Sequence, residues 1–481
     1  MVKKLLIIGV DGMDYDYVRE HSEELPFLDR LLKNNGYPHM RSVFPADTTP
    51  AWTTIFTGVD PTEHGIINFV NVGDQDNTYQ AFTFDDSAFR GKTFWDVLRN
   101  KGYKNVVLFP MNIKEGWDID GLMITRAHEG KISVWPAQKE ALYQPDAKIL
   151  GSELEYTSEA KLGLVRDDFK RKFAEEYRVT KLALQNEDCD VFFSYFSTTD
   201  GIQHAFWRNC DPKHPEYPGD NQYKNVILDM YADVDKMLQE FAEMMPETPM
   251  LVISDHGHGA RPVWCARINE ILRREGYLTP KKADSGKKKA NSFSFKAFIR
   301  NTGLSFVKRF GLPAPMKAIL KKIPIWKKVF VSSADFDWDH TVAYLSDLSA
   351  MKNYSYGGIR VKCDDKEHID ELCDEIIAKI KDYCIEDEGI PAFKWIRRTN
   401  SLYHGPYLNR YPEIIFQLDE RFGASWDLGT ILFEKKGFMH QFSPGAHRYE
   451  TAYLGTRGIK LDQKQYEMTD VYKIIMSVMQ V

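Results

Sequence analysis

The sequence predicts an α/β protein whose core is a mainly parallel sheet flanked by helices. Short, continuous apolar runs have the character of strands that are buried on both faces, and amphipathic helical patterns separate them. Acidic or histidine side chains follow several of these runs directly. The predicted strands cover residues 5–10, 105–110, 190–196 and 250–254. The main predicted helices cover residues 25–32, 93–100, 159–185, 223–244, 366–383 and 466–479.

Length and composition exclude several classes of protein. The chain has 481 residues, of which 43% are hydrophobic, and a net charge of −6. This length allows two or three domains of about 150 residues each, and the apolar content excludes global disorder. The charge is too small to indicate a nucleic-acid partner. The six cysteines are scattered without a CxxC pair, which favours a reducing compartment.

The N-terminal apolar run is too short for a secretory signal, because Asp11 interrupts it after residues 5–10. No later apolar run reaches the length of a membrane span. The sequence therefore predicts a soluble, cytoplasmic protein.

The stretch from Val43 to Gly58 is predicted to pass from an extended segment into a short helix. A residue before a proline, as before Pro45, is disfavoured in the helical region. Pro50 falls in the first turn of the helix, and the closing glycine lies where a helix ends. This places Thr48 or Thr49 at the N-cap, in a positive potential that favours a hydroxyl acting on an anion.

Residue types that bind metal ions recur after the apolar runs. Asp11 follows the first run, and the spacing of Asp200 and His204 places both on one face of a helical turn. The segment Asp255-His256-Gly257-His258-Gly259 has poor structural propensity, so metal binding explains its composition better than folding does. His447 is a further candidate, although it would be unremarkable by itself.

These residues are expected to converge, because the carboxyl ends of parallel strands meet at one edge of a sheet. Six ligands of nitrogen and oxygen type exceed the needs of one tetrahedral zinc ion, but they suit two metal ions that share a substrate. Thr48 would then be a nucleophile activated by metal coordination. The predicted ligands are Asp11, Asp200, His204, Asp255, His256 and His447.

The composition changes between Lys281 and Lys328, where lysine, arginine and aromatic residues stand against a single acid, Asp284. This basic segment is predicted to be an insertion or lid, and contact with an anionic substrate or lipid is the functional alternative. An α+β pattern with a βαβ-like arrangement follows it. The predicted division is a catalytic core at 1–275 and 421–481, the basic insertion at 276–333 and an α+β cap at 334–420.

The motifs together resemble the alkaline phosphatase superfamily, and within it the type I phosphodiesterase/nucleotide pyrophosphatase family. The resemblance covers nearly the whole chain, and its motifs occur in the order that the family has. It implies an alkaline-phosphatase-like core. The matching segments are residues 8–12, 44–58, 64–66, 200–204, 255–257 and 445–448.

The resemblance implies two metal ions, usually zinc, with manganese as the alternative, and assigns their ligands. One ion would be held by Asp200, His204 and His447, and the other by Asp11, Asp255, His256 and Thr48. Thr48 matches the family's nucleophile better than Thr49, because the residue two before the proline has that role. It would attack phosphorus and form a phosphothreonyl intermediate.

The resemblance also implies a substrate contact. The family's asparagine that contacts a nonbridging phosphate oxygen corresponds to Phe69 here, and the neighbouring Asn68 is predicted to replace it.

The sequence is compatible with more than one function. The sequence predicts cleavage of phosphodiester or pyrophosphate bonds in a small phosphorylated substrate. A phosphomonoesterase or phosphoryl mutase of the same superfamily is the alternative, although such mutases usually have serine in place of Thr48. A metal-binding protein without catalysis is a further alternative. A Cys-x-Pro-Ser-Arg motif is absent, which argues against a sulfatase.

Overall fold

The computed structural model describes most of the chain. Within the described part, no helix combines the length and the apolar character that crossing a bilayer requires. Apart from Lys281, the predicted basic segment lies outside the described residues, as does Phe69. The described residues are 2–68, 70–72, 79–81, 89–126, 130–151, 159–281, 336–346, 348, 353–363, 365, 367–385, 389–435 and 443–481.

The described helices are distributed along the whole chain. In chain order they are α1 (Tyr15–Glu20), α2 (Pro26–Lys33), α3 (Thr48–Thr57), α4 (Pro61–His64), α5 (Phe94–Asn100), α6 (Glu140–Tyr143), α7 (Ala147–Leu150), α8 (Leu162–Asn186), α9 (Thr198–Cys210), α10 (Val226–Met244), α11 (Ile268–Arg274), α12 (Ile369–Ile380) and α13 (Met468–Met479).

The described strands alternate with these helices in the first half of the chain. In chain order they are β1 (Val2–Val10), β2 (His39–Arg41), β3 (Val70–Val72), β4 (Tyr79–Ala81), β5 (Asn105–Leu108), β6 (Gly121–Ile124), β7 (Val134–Trp135), β8 (Cys189–Phe196), β9 (Met250–Ile253), β10 (Gly257–Ala260), β11 (Trp264–Arg267), β12 (Ala343–Ser346), β13 (Tyr356–Val361), β14 (Phe393–Arg398), β15 (Ile414–Leu418), β16 (Phe422–Ser425), β17 (Phe433–Lys435), β18 (Gly445–Arg448), β19 (Leu454–Arg457) and β20 (Gln465–Glu467).

A seven-stranded sheet in the order β19-β9-β1-β8-β5-β6-β7 forms the centre of the molecule. Strands β9, β1, β8, β5 and β6 run parallel, and the edge strands β19 and β7 run antiparallel to their neighbours. Residues 5–8 of β1 are fully buried, because helices cover both faces of the sheet. The predicted fold class, α/β with a mainly parallel sheet flanked by helices, is confirmed.

A second, four-stranded sheet has the order β12-β13-β15-β14, and each neighbouring pair is antiparallel. Strands β13 and β14 flank helix α12 in sequence and run in the same direction, but β15 lies between them. The βαβ-like pattern is therefore a split unit, in which a third strand separates the two parallel ones. Helix α12 covers this sheet with Cys373, Ile376 and Ile380.

Two separate hydrophobic cores underlie the two sheets, and a third cluster adjoins both regions. The second core includes Ala266 of β11 and Leu272 of α11, which precede the basic segment, and Phe422 and Leu432 from a later part of the chain. The third cluster combines Phe44 with tyrosines of residues 354–411. The division into domains at residues 275, 333 and 420 stays a prediction.

Candidate metal centre

Three neighbouring strands of the central sheet deliver most of the predicted ligands to one edge, whereas His447 lies in β18, which pairs with β10 outside this sheet. Asp11 directly follows β1, Asp200 lies in the first turn of α9 behind β8, and Asp255 and His256 follow β9. Since β8, β1 and β9 are adjacent and parallel, these side chains meet at their carboxyl ends. The convergence expected from the sequence occurs in the structure.

Helix α3 carries Thr48 into this edge, but its N-cap differs from the prediction. The cap is Asp47, whose carboxylate accepts a hydrogen bond from Thr49 N–H at 3.2 Å, and Thr48 is the first helical residue. The prediction of Thr48 or Thr49 at the N-cap is wrong, because the Asp47 carboxylate already accepts the hydrogen bond of the Thr49 N–H. The Thr48 hydroxyl is left to face His256, while Thr49 is buried with 3% exposure.

The first group of side chains, named here the carboxylate cluster, comprises Asp11, Thr48, Asp255 and His256. His256 Nε2 lies 3.2 Å from Asp255 Oδ2, 3.6 Å from Asp11 Oδ1 and 3.2 Å from Thr48 Oγ1. One imidazole nitrogen is thus surrounded by three oxygens at distances compatible with ligands of a common ion. Asp200 contributes a carboxylate oxygen close to this cluster as well.

The second group, named here the histidine cluster, comprises Asp200, His204, His258 and His447. The Nε2 atoms of the three histidines lie 3.3, 3.4 and 3.4 Å from Asp200 Oδ1, in the order given. One ligand atom from each of the four residues lies within 4.8 Å of every other. His258 was not among the predicted ligands, although it belongs to the histidine-rich motif that the sequence singled out.

Backbone carbonyl groups fix the tautomers of three histidines. Nδ1 of His204 donates to Gly445 O at 3.0 Å, Nδ1 of His256 donates to Gly257 O at 3.0 Å, and Nδ1 of His447 donates to Ala46 O at 2.8 Å. Because a neutral imidazole carries one proton, the Nε2 atom of each ring presents a lone pair to the clusters. Hydrogen bonds of this kind orient the histidine ligands of metal sites.

Two histidine nitrogens with lone pairs lie so close together that a cation is expected between them. His204 Nε2 and His447 Nε2 lie 3.0 Å apart, and both carry lone pairs when their Nδ1 atoms are protonated. Two lone pairs at this distance repel each other unless a proton or a cation lies between them. The histidine cluster therefore fits a cation.

The carboxylate oxygens of the site also fit a cation. Within the described part of the chain, Asp11 Oδ1, Asp200 Oδ1 and Asp255 Oδ2 are buried and have no hydrogen-bond partner. Leaving a buried charged oxygen unpaired is costly, and a divalent cation removes this cost. The donor set of imidazole nitrogens and carboxylate oxygens suits zinc and similar ions.

Burial dominates the electrostatics of the centre. Burial raises the pKa of Asp255 to about 7, and burial together with the charges of Asp255 and Asp200 raises the pKa of Asp11. Burial also acts to raise the pKa of Asp200, but the surrounding histidines outweigh it and hold this pKa well below its usual value. Burial lowers the pKa of His447, and that of His258 to about 4, which keeps both rings in the neutral form that binds metals.

Tyr195, which was not predicted from the sequence, supports the carboxylate cluster. It is the last but one residue of β8, and its hydroxyl donates to Asp11 Oδ2. The ring is buried against Trp52 of helix α3, with centroids 5.0 Å apart. The sequence offered no signal for this contact, because it depends on the pairing of β8 with β1.

Asn68 lies beside the second sheet. It is buried with 2% exposure, and its Nδ2 donates to Leu348 O at 2.6 Å. Its predicted contact with a phosphate oxygen stays a prediction.

The fold is that of an α/β protein, and two adjoining clusters of side chains that could hold a metal ion lie at the carboxyl edge of its sheet. The profile of the type I phosphodiesterase / nucleotide pyrophosphatase family matches residues 5–425. The chain therefore belongs to this family, a family of hydrolases, and the resemblance inferred from the motifs is confirmed.

Individual relatives are distant. Human ectonucleotide pyrophosphatase/phosphodiesterase family member 1 is 28% identical over 109 residues, which is 22% of this chain and 12% of that relative's length. The alignment with the structure of human ectonucleotide pyrophosphatase/phosphodiesterase 5 covers 100% of this chain and 95% of that protein's chain, with 12% sequence identity and a TM-score of 0.49. The murine protein, as an inactive variant in complex with AMP, has the same coverage, 14% identity and a TM-score of 0.48.

Proposed function

We propose that this protein is a two-metal phosphohydrolase that cleaves phosphodiester or pyrophosphate bonds of nucleotide-like substrates through a phosphothreonyl intermediate. The observation that carries this proposal is the position of Thr48. Its hydroxyl lies on the partly exposed first residue of α3, 3.2 Å from His256 Nε2, where the sheet edge gathers the carboxylates and histidines.

The two clusters would each hold one divalent ion, Zn²⁺ with Mn²⁺ as the alternative. Asp200, His204 and His447 would bind one ion, and the carboxylate cluster would bind the other. When bound, such ions neutralise phosphate charge and lower the pKa of a hydroxyl and of water. The nitrogen content of the histidine cluster favours zinc.

Thr48 is proposed as the catalytic nucleophile. After its hydroxyl proton passes to solvent, Oγ1 forms a bond to phosphorus while the bond to the leaving oxygen breaks in line. The amino end of the ten-residue helix α3 favours the anionic phosphoryl group at this position. Water then cleaves the bond between phosphorus and Thr48 Oγ1, which releases the phosphorylated product and restores the hydroxyl.

Turnover of bis-p-nitrophenyl phosphate and p-nitrophenyl phosphate by the Zn²⁺-loaded protein tests this function. We expect the diester to be preferred and Thr48→Ala to lose on the order of a thousandfold or more in kcat, because it removes the nucleophile. Thr57→Ala is the matched control, since Thr57 lies at the opposite end of the same helix and its hydroxyl donates only locally, to Thr53 O.

The possible results of these assays distinguish the proposed function from its alternatives. Preference for the monoester would favour the phosphatase or mutase alternative. A fully active Thr48→Ala protein would refute the nucleophile, and acid-quenched wild-type protein without phosphorus on Thr48 would refute the covalent intermediate.

A further inference from the structure

His258 is a buried histidine at the metal centre that the ligand sets described above do not use. Its side chain is fully buried, and within the described residues neither of its ring nitrogens has a hydrogen-bond partner. A neutral imidazole has one donor and one acceptor, so burying both without partners costs free energy. The fold tolerates this cost at a position where Nε2 lies 3.4 Å from Asp200 Oδ1.

The spacing of the histidine cluster matches a four-ligand tetrahedral site. Four ligand atoms at Zn–N and Zn–O bond lengths of about 2.0–2.1 Å are separated by about 3.3–3.4 Å at the corners of a tetrahedron. The three Nε2 atoms lie 3.3, 3.4 and 3.4 Å from Asp200 Oδ1, and two of them lie 3.0 Å from each other. His258 meets this spacing as well as His204 and His447 do.

The backbone places His258 as a partner of His447. Strands β10 and β18 pair antiparallel, and His258 stands directly opposite His447, so their side chains share one face. The backbone N–H of His258 donates to Asp14 Oδ2 at 3.0 Å, which fixes the strand at this residue. Trp207 stacks on the His258 ring, with centroids 5.6 Å apart and planes at 23°, and restricts its rotation.

Gly445 leaves the space that the His258 ring occupies. A Cβ at this glycine would lie 2.5 Å from His258 Cε1 and would also collide with the Gln203 backbone. Both the strand pairing and the absence of a side chain at residue 445 therefore direct this ring towards Asp200.

We propose that His258 is a fourth protein ligand, through Nε2, of the metal ion that Asp200, His204 and His447 bind. This inference rests on the proposed function in so far as that function requires a metal ion in the histidine cluster. The cluster then offers three nitrogens and one oxygen, whereas the carboxylate cluster offers one nitrogen and three oxygens. The two sites consequently differ in metal preference, and the histidine cluster selects Zn²⁺ over Mn²⁺ more strongly.

A crystal structure of the full chain loaded with Zn²⁺, with anomalous maps at the zinc edge, tests the ligand directly. We expect an ion in the histidine cluster with His258 Nε2 at about 2.0–2.1 Å. An ion bound by the other three residues with Nε2 beyond about 3 Å, outside any coordination distance, would overturn this inference and leave the proposed function intact. Absence of zinc from both clusters would overturn the inference and the proposed function together.

Metal binding by variants tests the same ligand in solution. His258→Gln retains an amide that can donate to Asp200, but this amide is a poor zinc ligand. We therefore expect one of two Zn²⁺ ions to bind more weakly by over about a hundredfold. This loss is larger than the one that follows from removing a residue that only orients a ligand. His214→Gln is the matched control, since His214 is also buried and lies after α9, away from both clusters. A loss below about a hundredfold in His258→Gln, measured by chelator competition, is what a residue that only orients a ligand would cause, and it would refute the proposal.

The proposed preference of the histidine cluster for Zn²⁺ over Mn²⁺ can be measured separately. With both metals offered at equal concentration, we expect the wild-type histidine cluster to hold Zn²⁺, and His258→Gln to take up a larger share of Mn²⁺ by elemental analysis. An unchanged ratio of the two metals would contradict the proposed preference.

Discussion

Asp47 and Thr48 have different tasks at the amino end of α3. The Asp47 carboxylate accepts the free Thr49 N–H and so stabilises the first turn of the helix. Because the cap is supplied by its neighbour, the Thr48 hydroxyl is available to the carboxylate cluster. A threonine cap would have turned the same hydroxyl towards the helix backbone.

Replacing Asp47 tests this assignment. We expect Asp47→Ala to lower the free energy of unfolding by about 1 kcal/mol, because a free N–H at the helix start loses its acceptor. Asp47→Asn, which keeps an oxygen acceptor, should lose much less. Urea denaturation of the two variants decides the matter, and equal losses would show that the charge of Asp47 matters more than capping.

His64 makes stability depend on pH. Its Nδ1 accepts from Ile66 N–H at 3.1 Å and its Nε2 contacts Thr54 Oγ1 at 3.1 Å, so the ring is held neutral. Burial lowers the pKa of His64 to about 3. The unfolded chain, with a histidine pKa of about 6.5, binds a proton that the folded chain does not bind between these pH values.

The free energy of unfolding is therefore expected to fall as the pH falls from about 6.5 towards 3, with a contribution from His64 of up to about 1.4 kcal/mol per pH unit. The contribution is fully present above pH 6.5. In His64→Gln the loss between pH 6.5 and 5 should be smaller, as measured by denaturation at several pH values. Above pH 7 the slopes of wild type and variant should coincide, and coincident slopes below pH 6 would contradict the assignment.

At the scale of elements, the end of α3 is shaped by its contact with the C-terminal helix α13. Gly58 closes α3 in the left-handed region with φ of 75°. A Cβ at Gly58 would lie 2.6 Å from Cγ of Tyr472 in α13. The glycine thus permits both the backbone conformation and the close approach of the two helices.

Gly58→Ala and Gly102→Ala separate these two effects. Gly102 has φ of 84° and open space where a Cβ would lie, so its alanine variant should lose only the left-handed backbone cost of about 1–2 kcal/mol. Gly58→Ala should lose about 1–3 kcal/mol more, because α13 must move. Urea denaturation measures both, and adding Tyr472→Ala should recover part of the extra loss. Equal losses in the two glycine variants would contradict the contact.

At the scale of the whole molecule, the second sheet region holds the segment that leads to the nucleophile. Tyr411 and Tyr403 donate to Phe44 O at 2.8 and 3.4 Å, and Tyr356 donates to Ala46 O at 3.1 Å. These tyrosines lie in or between the strands of the second sheet, yet they bind the segment directly before α3. The position of Thr48 therefore depends on both halves of the molecule.

Tyr411→Phe is expected to lower the free energy of unfolding by about 0.5–1.5 kcal/mol, because Phe44 O loses its shorter hydrogen bond and keeps the longer one from Tyr403. It should also lower kcat on bis-p-nitrophenyl phosphate, since the segment before Thr48 is less firmly held. Tyr407→Phe is the control, because Tyr407 is 38% exposed and lies in the same region. An unchanged kcat in Tyr411→Phe, with stability reduced, would limit the tyrosine to a structural role.

Much of the central site could be predicted because its residues follow strands that the sequence marks clearly. Asp11, Asp200 and Asp255 each come soon after a continuous apolar run, and parallel pairing brings such positions together. The cap of α3 was predicted wrongly because aspartate and threonine compete as caps, and only the backbone geometry distinguishes Asp47 from its neighbours.

The α/β class and the family could be read from the sequence, because they depend on local apolar patterns and on short motifs, and the metal ligands stay a prediction from those motifs. That His258 faces His447 and that Tyr195 contacts Asp11 could be learned only from the three-dimensional structure. Both contacts arise from pairing between strands that are far apart in the chain. Such pairing depends on the packing of the whole molecule, so local patterns do not contain it.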